Sequence, residues 1–457
     1  MTANCSSRSG SWCRTPRVLA SGAVLVTTSL ALLSCGAPGG ETSSSGPATS
    51  VEDEITAPVT PEQVAELGDV TLTVWADQAE QPLLEQVIPA YQEEYPNVTV
   101  EPSYRSFDDL IATVVNAAAS SSPPDVFQGN IGYAVDGALV EAGLVRPLDD
   151  VASAYGWDEA PWESSLGPAR WNADASAFGD GTLYGVSPVT EIQGIYYNQA
   201  KLDQLGLEPP TSLEELATDL QVAQDAGEQP IMLGNADQYP ATHILSDLAA
   251  ADGDPADIRA WIGGQEDATF VTDGNREAAQ TMEEWAQAGY FGQGYDGVSN
   301  EDAIARFANG EGVFFVGGSW NGASLGEGFG ISALPQGGSG AIASPWHVSA
   351  STDEVPAAAA FLGMLTTQES AQQILDGGRL PVVTEGVAGA TELEQQTLDA
   401  LEETVADEGQ VGYYDWTTTD MLDVMGGSLQ EVMAGRTGVD DFLETVQSDW
   451  ADARAER

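Results

Sequence analysis

The sequence predicts an α/β fold, and two stretches of the chain carry that prediction. Between residues 70 and 128 the apolar residues follow the order strand, helix, strand, helix, strand. Between residues 183 and 216 a β-rich run passes into two short helical patterns separated by a proline pair. Because strands that alternate with helices build an open sheet, we expect polar side chains to converge where the strands end.

The first stretch is predicted from its hydrophobic periodicity. Apolar and polar residues alternate over 70–75, and Leu84, Val87 and Tyr91 fall on one face of a helix. The predicted elements are a strand at 70–75, a helix over 84–95, a strand at 98–100, a helix over 107–115 and a strand at 124–127.

The second stretch has the signals of a strand that leaves one domain and enters another. Its β-rich run, residues 191–197, is followed by a short helix that Gly206 closes. The proline pair then stops that helix, and Thr211 or Ser212 caps a second helix with an acidic first turn.

Length and charge limit the functions open to this chain. At 457 residues it is long enough for two domains and a large core. It carries 71 Asp and Glu against 14 Lys and Arg, a net charge of −57. Nucleic acid is therefore a poor partner, since binding it requires clustered Lys and Arg. Anionic lipid surfaces and phosphorylated ligands are disfavoured by the same field.

The amino terminus has the pattern of a secretion signal. Arg8, Arg14 and Arg17 precede an apolar run over residues 18–33, and the sequence Leu-Leu-Ser-Cys-Gly follows at its end. This ending resembles a bacterial lipobox, in which Cys35 is acylated. An ordinary cleaved signal and an uncleaved anchor are the alternatives. We predict a lipoprotein signal over residues 1–34 and a flexible tether over 35–68, which is poor in large apolar residues.

Cysteine and histidine usage argue against several kinds of site. Cys5 and Cys13 leave with the predicted signal and Cys35 carries lipid, so no disulfide, thiol nucleophile or thiolate metal site is expected. The chain has only two histidines, His243 and His347, which also argues against a histidine-rich metal site. We expect neither a metal nor a cofactor.

Three motifs in the chain belong together: the strand-to-helix stretch at 183–216, the run from Ala303 to Gly-Gly-Ser-Trp at 317–320, and the Gly-Arg-Leu-Pro loop at 378–381. They resemble those of family 1 extracellular solute-binding proteins, the maltose and multiple-sugar receptors of ABC importers. The resemblance covers nearly everything after residue 69. It implies a periplasmic-binding-protein-like fold, in which two α/β lobes are joined by a multi-crossing hinge with the ligand cleft between them. The implied segments are 69–187 and 344–390 in lobe 1, and 188–343 and the C-terminal helices of 391–457 in lobe 2.

The resemblance also implies a function. The protein would capture a neutral sugar or oligosaccharide in the cleft, without catalysis, and deliver it to the permease subunits of an importer. It would be a monomer, lipid-anchored at the extracellular face of the membrane. A cationic ligand such as a polyamine or betaine is an alternative, because aromatic rings in an acidic cleft also bind cations. A secreted glycoside hydrolase is the alternative from another class, since the many acids include enough carboxylates for a catalytic pair.

Sugar recognition needs flat rings for the C–H faces and carboxylates or amides for the hydroxyls. Trp320, exposed by the turn that precedes it, matches the stacking position of the family, and Glu191 matches a glutamate that binds hydroxyls. The complete set of predicted ligand contacts is Trp75, Asp77, Gln128, Asn130, Glu191, Gln193, Trp320, Asn321, Trp346, Arg379 and Trp416.

Several of these positions have a structural interpretation that competes with ligand contact. Trp75 also suits a core, Gln128 and Asn130 suit a turn, and Trp346 suits hinge packing. Arg379 is expected to form ion pairs in so acidic a chain. Tyr239 and His243 lie one helical turn apart, where a partly buried, hydrogen-bonded histidine is expected.

The charge itself yields a prediction about stability. Self-repulsion among the carboxylates should weaken the fold at low ionic strength, so the thermal midpoint should rise from dilute buffer to about 1 M salt. Differential scanning calorimetry across that range checks this. A midpoint that stays constant would contradict it.

Overall fold

Two main β-sheets, each with helices packed against it, form the body of the protein. A computed structural model describes residues 54–159, 162–172, 177–334, 338–342, 344–405 and 411–456. The strands are β1 (Val70–Asp77), β2 (Val98–Arg105), β3 (Val126–Gln128), β4 (Arg170–Trp171), β5 (Thr182–Leu183), β6 (Val189–Thr190), β7 (Gln193–Asn198), β8 (Phe314–Gly318), β9 (Phe329–Ala333), β10 (Trp346–Val348) and β11 (Leu380–Pro381). The α-helices are α1 (Pro61–Ala65), α2 (Gln81–Glu94), α3 (Phe107–Ala118), α4 (Ala138–Glu141), α5 (Asp149–Tyr155), α6 (Trp162–Ser165), α7 (Gln199–Leu205), α8 (Leu213–Asp225), α9 (Tyr239–Asp252), α10 (Pro255–Ile262), α11 (Asp273–Ala288), α12 (Asn300–Ala308), α13 (Val355–Leu365), α14 (Gln368–Asp376), α15 (Glu392–Val405), α16 (Met421–Met433) and α17 (Val439–Glu456).

The first sheet has the strand order β10-β3-β1-β2. Strand β1 runs parallel to β2 and β3, whereas β10 is antiparallel to β3. Val70, Leu72 and Val74 of β1 are buried and the intervening residues are more exposed, which is the period-two pattern of a strand. Helix α2 buries Leu84 and Val87. The predicted order of strand, helix, strand, helix, strand is therefore confirmed.

The second sheet has the order β8-β7-β9 and is antiparallel throughout. Every residue of β7 is buried. The Asn198 side chain accepts a hydrogen bond from the Lys201 backbone and so caps α7, which ends at Gly206 with φ +70°. Ser212 caps α8 by accepting from Glu215. The predicted strand and both helices are confirmed, with Ser212 as the cap.

The chain passes between the two sheets three times. Strand β6 pairs with β11, and Val186 forms an isolated bridge with Trp346 of β10. The chain therefore enters the second sheet at β7, returns to the first at β10, and leaves it again toward α15, which packs on β9. Three passages are what the predicted hinge requires. The lobe boundaries themselves stay a prediction.

The amino-terminal arm, residues 54–68, packs onto the first sheet and its helices. Val64 of α1 is fully buried. The Ile55 backbone donates to Asp150 Oδ2 at 2.9 Å, and the Tyr95 hydroxyl donates to the Val59 carbonyl at 3.0 Å. The predicted tether over 35–68 is therefore wrong from residue 54 onward. Although the segment is mostly polar, its apolar side chains Ile55, Val59 and Val64 are buried in the hydrophobic core. Residues 35–53 lie outside the described residues.

The predicted signal and the lipidation site at Cys35 also lie outside the described residues. Among the helices that are described, none is both long enough and apolar enough to cross a bilayer.

Docking of the arm predicts a stability cost for truncating its buried side chain. Val64→Ala should lower the free energy of unfolding by about 2 kcal/mol, since the side chain is fully buried. Denaturant titration measures the change. Val271→Ala is the control, because Val271 is 39% exposed. Equal effects from the two substitutions would contradict the packing of the arm.

Candidate functional site

Polar side chains at the ends of β1 and β3 form one wall of the candidate site. Asp77 accepts from the Ala79 backbone at 3.2 Å, and its own N–H donates to Gln128 Oε1 at 2.8 Å. Gln128 Nε2 donates to Glu80 Oε1 at 3.2 Å. Burial raises the pKa of Asp77, against the lowering effect of its hydrogen bond from Ala79 and of the Arg379 charge. Gln128 is buried and uses its amide within the protein, so it holds the two strand ends together.

Trp75 and Asn130 lie at the edges of this wall. The guanidinium carbon of Arg105 lies 3.6 Å from the centroid of the half-buried Trp75 ring. This cation covers one face of the ring, which leaves at most the other face for a ligand. The Asn130 backbone donates to Asp136 Oδ1 at 2.8 Å, and its side chain is half-buried in the turn after β3.

A buried ion-pair group joins this wall to the strand that enters the second sheet. Arg379 Nη1 donates to Glu80 Oε1 at 2.7 Å, and Nη2 donates to Glu191 Oε1 at 3.1 Å. Glu80 is 3% and Glu191 7% exposed. Burial raises the pKa of Glu191 to about 7, although the Arg379 charge acts to lower it. The ion pairing predicted for Arg379 is confirmed.

Aromatic rings form the opposite wall. The His243 ring, on α9, stacks on Tyr413 with a centroid separation of 3.8 Å and an interplanar angle of 10°. Trp320 lies in the 3₁₀ helix Ser319–Ser324 after β8 and meets His243 edge-on at 6.1 Å. Gln193 Nε2 lies 3.2 Å from His243 Nδ1 and 3.4 Å from the Tyr413 hydroxyl. An amide therefore adjoins a cluster of flat rings, of which Trp320 is half-buried.

The amides of Gln193 and Asn321 differ in what they leave for a ligand. Gln193 Oε1 is buried and has no hydrogen-bond partner among the described residues. Asn321, by contrast, donates to the Gly318 carbonyl at 3.0 Å and accepts from Asn300 at 3.2 Å. Asn321 therefore stabilises the turn that carries Trp320, whereas Gln193 keeps an unused polar atom beside the rings.

Two tryptophans of the predicted set lie in the hydrophobic core, which corrects their assignment. Trp346 is fully buried in β10 and meets Phe361 of α13 edge-on at 6.4 Å. Trp416 is 5% exposed and meets Tyr413 edge-on at 5.2 Å. A buried ring has no surface to present to a ligand. Trp346 therefore packs the first sheet, and Trp416 supports the Tyr413 ring.

Two carboxylates of this site, Glu80 and Asp415, are not among the residues predicted from the sequence. Glu80 belongs to the ion-pair group, and its one signal is its place in the acidic turn after β1. Asp415 Oδ1 lies 3.5 Å from His243 Nε2. His243 thus has Gln193 as its hydrogen-bond partner and Asp415 nearby, as expected for a partly buried histidine, and Tyr239 lies beside it with ring centroids 5.3 Å apart.

A buried carboxyl group supports the backbone beneath the aromatic wall. Asp247 Oδ1 accepts from the Ser339 backbone at 2.8 Å and from its hydroxyl at 2.5 Å. The Ser339 carbonyl in turn accepts from the Gln193 backbone at 2.9 Å. Burial raises the pKa of Asp247 to about 8. The position of Gln193 therefore depends on a carboxyl group that binds a proton near neutral pH.

Metal binding and two cavities elsewhere do not bear on this site. Across the described ranges, no group of three His, Cys, Asp or Glu side chains is arranged to hold a metal ion. A cavity of about 200 Å³ lies beside Trp261 and Tyr414, and one of about 350 Å³ lies beside Lys201 and Arg306. Neither is lined by a residue of the two walls or of the ion-pair group.

Comparison with known proteins identifies the family. Residues 75–372 match the model of the bacterial extracellular solute-binding proteins. The chain belongs to this family. It is 24% identical over 228 residues to a multiple sugar-binding protein of Streptococcus mutans, and 20% identical over 196 residues to an uncharacterized ABC transporter extracellular-binding protein of Pyrococcus horikoshii. The matches cover 45% and 42% of this chain, and the chain spans 52% and 42% of the length of these relatives.

Solved structures share the fold over most of the chain. A protein studied for xylan utilization by Caldanaerobius polysaccharolyticus aligns with a TM-score of 0.72 at 21% identity, covering 83% of this chain and 99% of that one. A chitin oligosaccharide binding protein gives 0.70 at 19% identity, with 84% and 99% covered. Maltose-bound MalE3 of T. maritima gives 0.66 at 17%, with 84% and 99% covered. This solute-binding protein therefore has the predicted periplasmic-binding-protein-like fold of two α/β lobes.

The buried carboxyl group predicts a pH dependence of stability. The pKa of Asp247 is higher in the folded state than its ordinary value of 3.8, so proton binding stabilises the fold. This stabilisation is complete below about pH 4 and is lost as the pH rises toward 8. Asp247→Asn keeps an oxygen for Ser339 but does not ionise. The variant should therefore lose less unfolding free energy between pH 5 and pH 8 than the wild type, by on the order of 4 kcal/mol.

Denaturant titrations at several pH values provide this measurement, with Asp452→Asn as the control at an exposed position. The exposed substitution should leave the pH dependence unchanged. The same slope in the wild type and in Asp247→Asn would show that Asp247 does not take up the proton.

Proposed function

We propose that this solute-binding protein is the receptor of an ABC importer and captures a neutral sugar or oligosaccharide between its two lobes. The observation that carries the proposal is the half-buried Trp320 ring, which lies edge-on to the His243–Tyr413 stack, together with the amide oxygen of Gln193, which has no hydrogen-bond partner among the described residues. Flat rings pack against the C–H faces of a sugar, and a buried acceptor needs a donor such as a hydroxyl. The sugar-binding relatives and structural neighbours support the same class of ligand.

We assign the contacts of this ligand by wall. Trp320 stacks on a sugar face, and Gln193 binds a hydroxyl at the same end. Glu191 accepts further hydroxyls from the base of the cleft, while Asp77 and Asn130 contact the ligand from the first lobe. Gln128, Asn321 and Arg379 hold these groups in place. Closure of the hinge brings the walls together on the ligand.

The wider setting belongs to the same proposal. The closed complex would be recognised by the permease subunits of the importer, and the protein would act as a monomer. A lipid on Cys35 would hold it at the outer face of the membrane, with the segment up to residue 53 as the tether. No catalytic step is proposed.

One observation favours a cationic ligand as the second candidate. Burial raises the pKa of Asp108, and the negative charge of Asp237 raises it further, so these two carboxylates lie within electrostatic range of each other. Such a pair attracts a polyamine or betaine. Binding of a cation falls steeply with salt, whereas binding of a neutral sugar hardly changes.

A thermal-shift screen of the body from residue 54 onward tests the proposal. Xylotriose, chitobiose, raffinose and maltotriose are compared with spermidine and glycine betaine at moderate salt. A ligand of the folded state should stabilise it by roughly 2.7 kcal/mol at a hundredfold excess over Kd. Trp320→Ala should abolish the shift, since the stacking surface is lost. Tyr295→Ala is the control, being a half-buried aromatic of the same lobe outside both walls, and should keep the shift.

Each other outcome has a defined meaning. A thermal shift with spermidine or glycine betaine alone would show that the ligand is a cation and not a sugar. Hydrolysis of any of the saccharides would show that the protein is an enzyme and would contradict the proposed receptor function. A sugar shift that survives Trp320→Ala would keep the ligand class and contradict the assigned wall.

A further inference from the structure

Arg379 occupies the junction of the two lobes. Its own segment lies between α14 and β11, and its guanidinium reaches Glu80 beside the first sheet and Glu191 just before β7. Its side chain is 11% exposed. Gly378, directly before it, has φ +77°, and a Cβ there would lie 2.8 Å from Cβ of Ala323. The segment of Arg379 therefore packs against the 3₁₀ helix that carries Trp320.

The network around Arg379 continues into the wall of the first lobe. Glu80 Oε1 also accepts from Gln128, whose own Oε1 accepts from the Asp77 backbone. Arg379 thus connects the ends of β1 and β3 with Glu191 through hydrogen bonds of 2.7–3.2 Å. An arginine suits this position because its planar fork donates to two carboxylates at once.

Arg379 supplies the positive charge that faces Glu191 and its neighbouring carboxylates. Asp77 and Glu80 face it from the end of β1 and the turn that follows, and both act to raise its pKa. The phenols of Tyr239 and Tyr413 also feel its charge, since Glu191 helps to raise the pKa of each. Of the described groups that act on the pKa of Glu191, Arg379 is the one cation. Without it, Glu191 would be a buried carboxylate beside two others, and protonation would relieve the repulsion.

We propose that Arg379 is a positioning residue for ligand capture, which holds Glu191 as an ionised, oriented acceptor at the base of the cleft. This inference rests on the proposed function, because it assigns Glu191 to ligand hydroxyls. An ionised carboxylate accepts hydroxyl hydrogen bonds more strongly than the protonated acid does. Ligand affinity therefore follows the ionised fraction of Glu191, and Arg379 sets the pH at which that fraction rises.

Calorimetric titration with the four saccharides of the screen, from pH 5.5 to 8.5, tests the dependence on pH. In the wild type, affinity should be about tenfold higher at pH 8 than at pH 6 if only the ionised form binds. Arg379→Gln should move the midpoint above pH 8 and weaken binding at pH 7 by roughly fivefold or more. Arg379→Lys should reverse part of this rise in the midpoint, because lysine returns the positive charge but not the planar guanidinium that reaches two carboxylates. Glu191→Gln should remove the part of the pH dependence that Glu191 contributes.

Arg436→Gln is the control, since Arg436 forms an exposed pair with Glu431 and should keep the wild-type profile. An Arg379→Gln variant with the wild-type midpoint, or with a loss that is equal at every pH, would overturn the proposal.

A ligand-free measurement separates this proposal from the proposed function. The destabilisation by Arg379→Gln should be larger at pH 8 than at pH 5, because the uncompensated Glu191 then ionises in a buried site. Adding Glu191→Gln to that variant should reduce the difference. If no saccharide binds but Glu191→Gln does reduce the pH-dependent destabilisation by Arg379→Gln, the proposed function fails and the role of Arg379 in holding Glu191 stands. If Glu191→Gln has no such effect, the proposed role of Arg379 fails, whether or not a saccharide binds.

Discussion

Pairing of β7 with a neighbouring strand along both of its edges is the constraint on which the rest of the site depends. The strand pairs with β8 on one side and β9 on the other, and its register sets Gln193 opposite Gly318. A slip of one residue would turn every side chain to the opposite face and remove Gln193 from the aromatic wall. Gly318 has a second role in this pairing, because a Cβ there would lie 2.0 Å from the Trp320 ring. The strand register therefore fixes both the amide and the stacking ring.

Carboxyl groups in the interior of the protein have hydrogen-bond or ion-pair partners, whereas those on its surface are solvated. Surface acids are solvated and need no partner, whereas each buried carboxyl group has a separate arrangement. Glu191 is paired with Arg379, Asp136 accepts from the Asn130 backbone and contacts His347, and Asp247 accepts twice from Ser339. All three arrangements lie at or beneath the cleft. The acidic composition of the chain therefore does not by itself determine the chemistry of its site.

Local signals in the sequence predict most of the fold and part of the site. The alternation in β1, the Asn198 cap of α7 and the apolar run of β7 depend on neighbouring residues, and each was predictable. Glu191 and Trp320 are predictable because they sit inside motifs. The Arg379 contact with Glu80 joins residues 299 apart in the chain, and no local pattern encodes such a contact. Burial of Trp346 and Trp416 depends in the same way on distant packing partners, so a tryptophan near a lobe crossing is not distinguishable in sequence from a cleft residue.

On the proposed function, the two walls contribute in different ways to capture. The Trp320 ring of the second lobe binds through apolar area, which needs no precise alignment and suits first contact with a sugar. The carboxylates and amides of the first lobe bind through directional hydrogen bonds, which form only once the walls are close. Glu191 and Arg379 lie between the walls, where the chain crosses from one lobe to the other. A ligand that engages Glu191 therefore acts on the same buried network that links the lobes, so recognition and closure depend on one set of contacts.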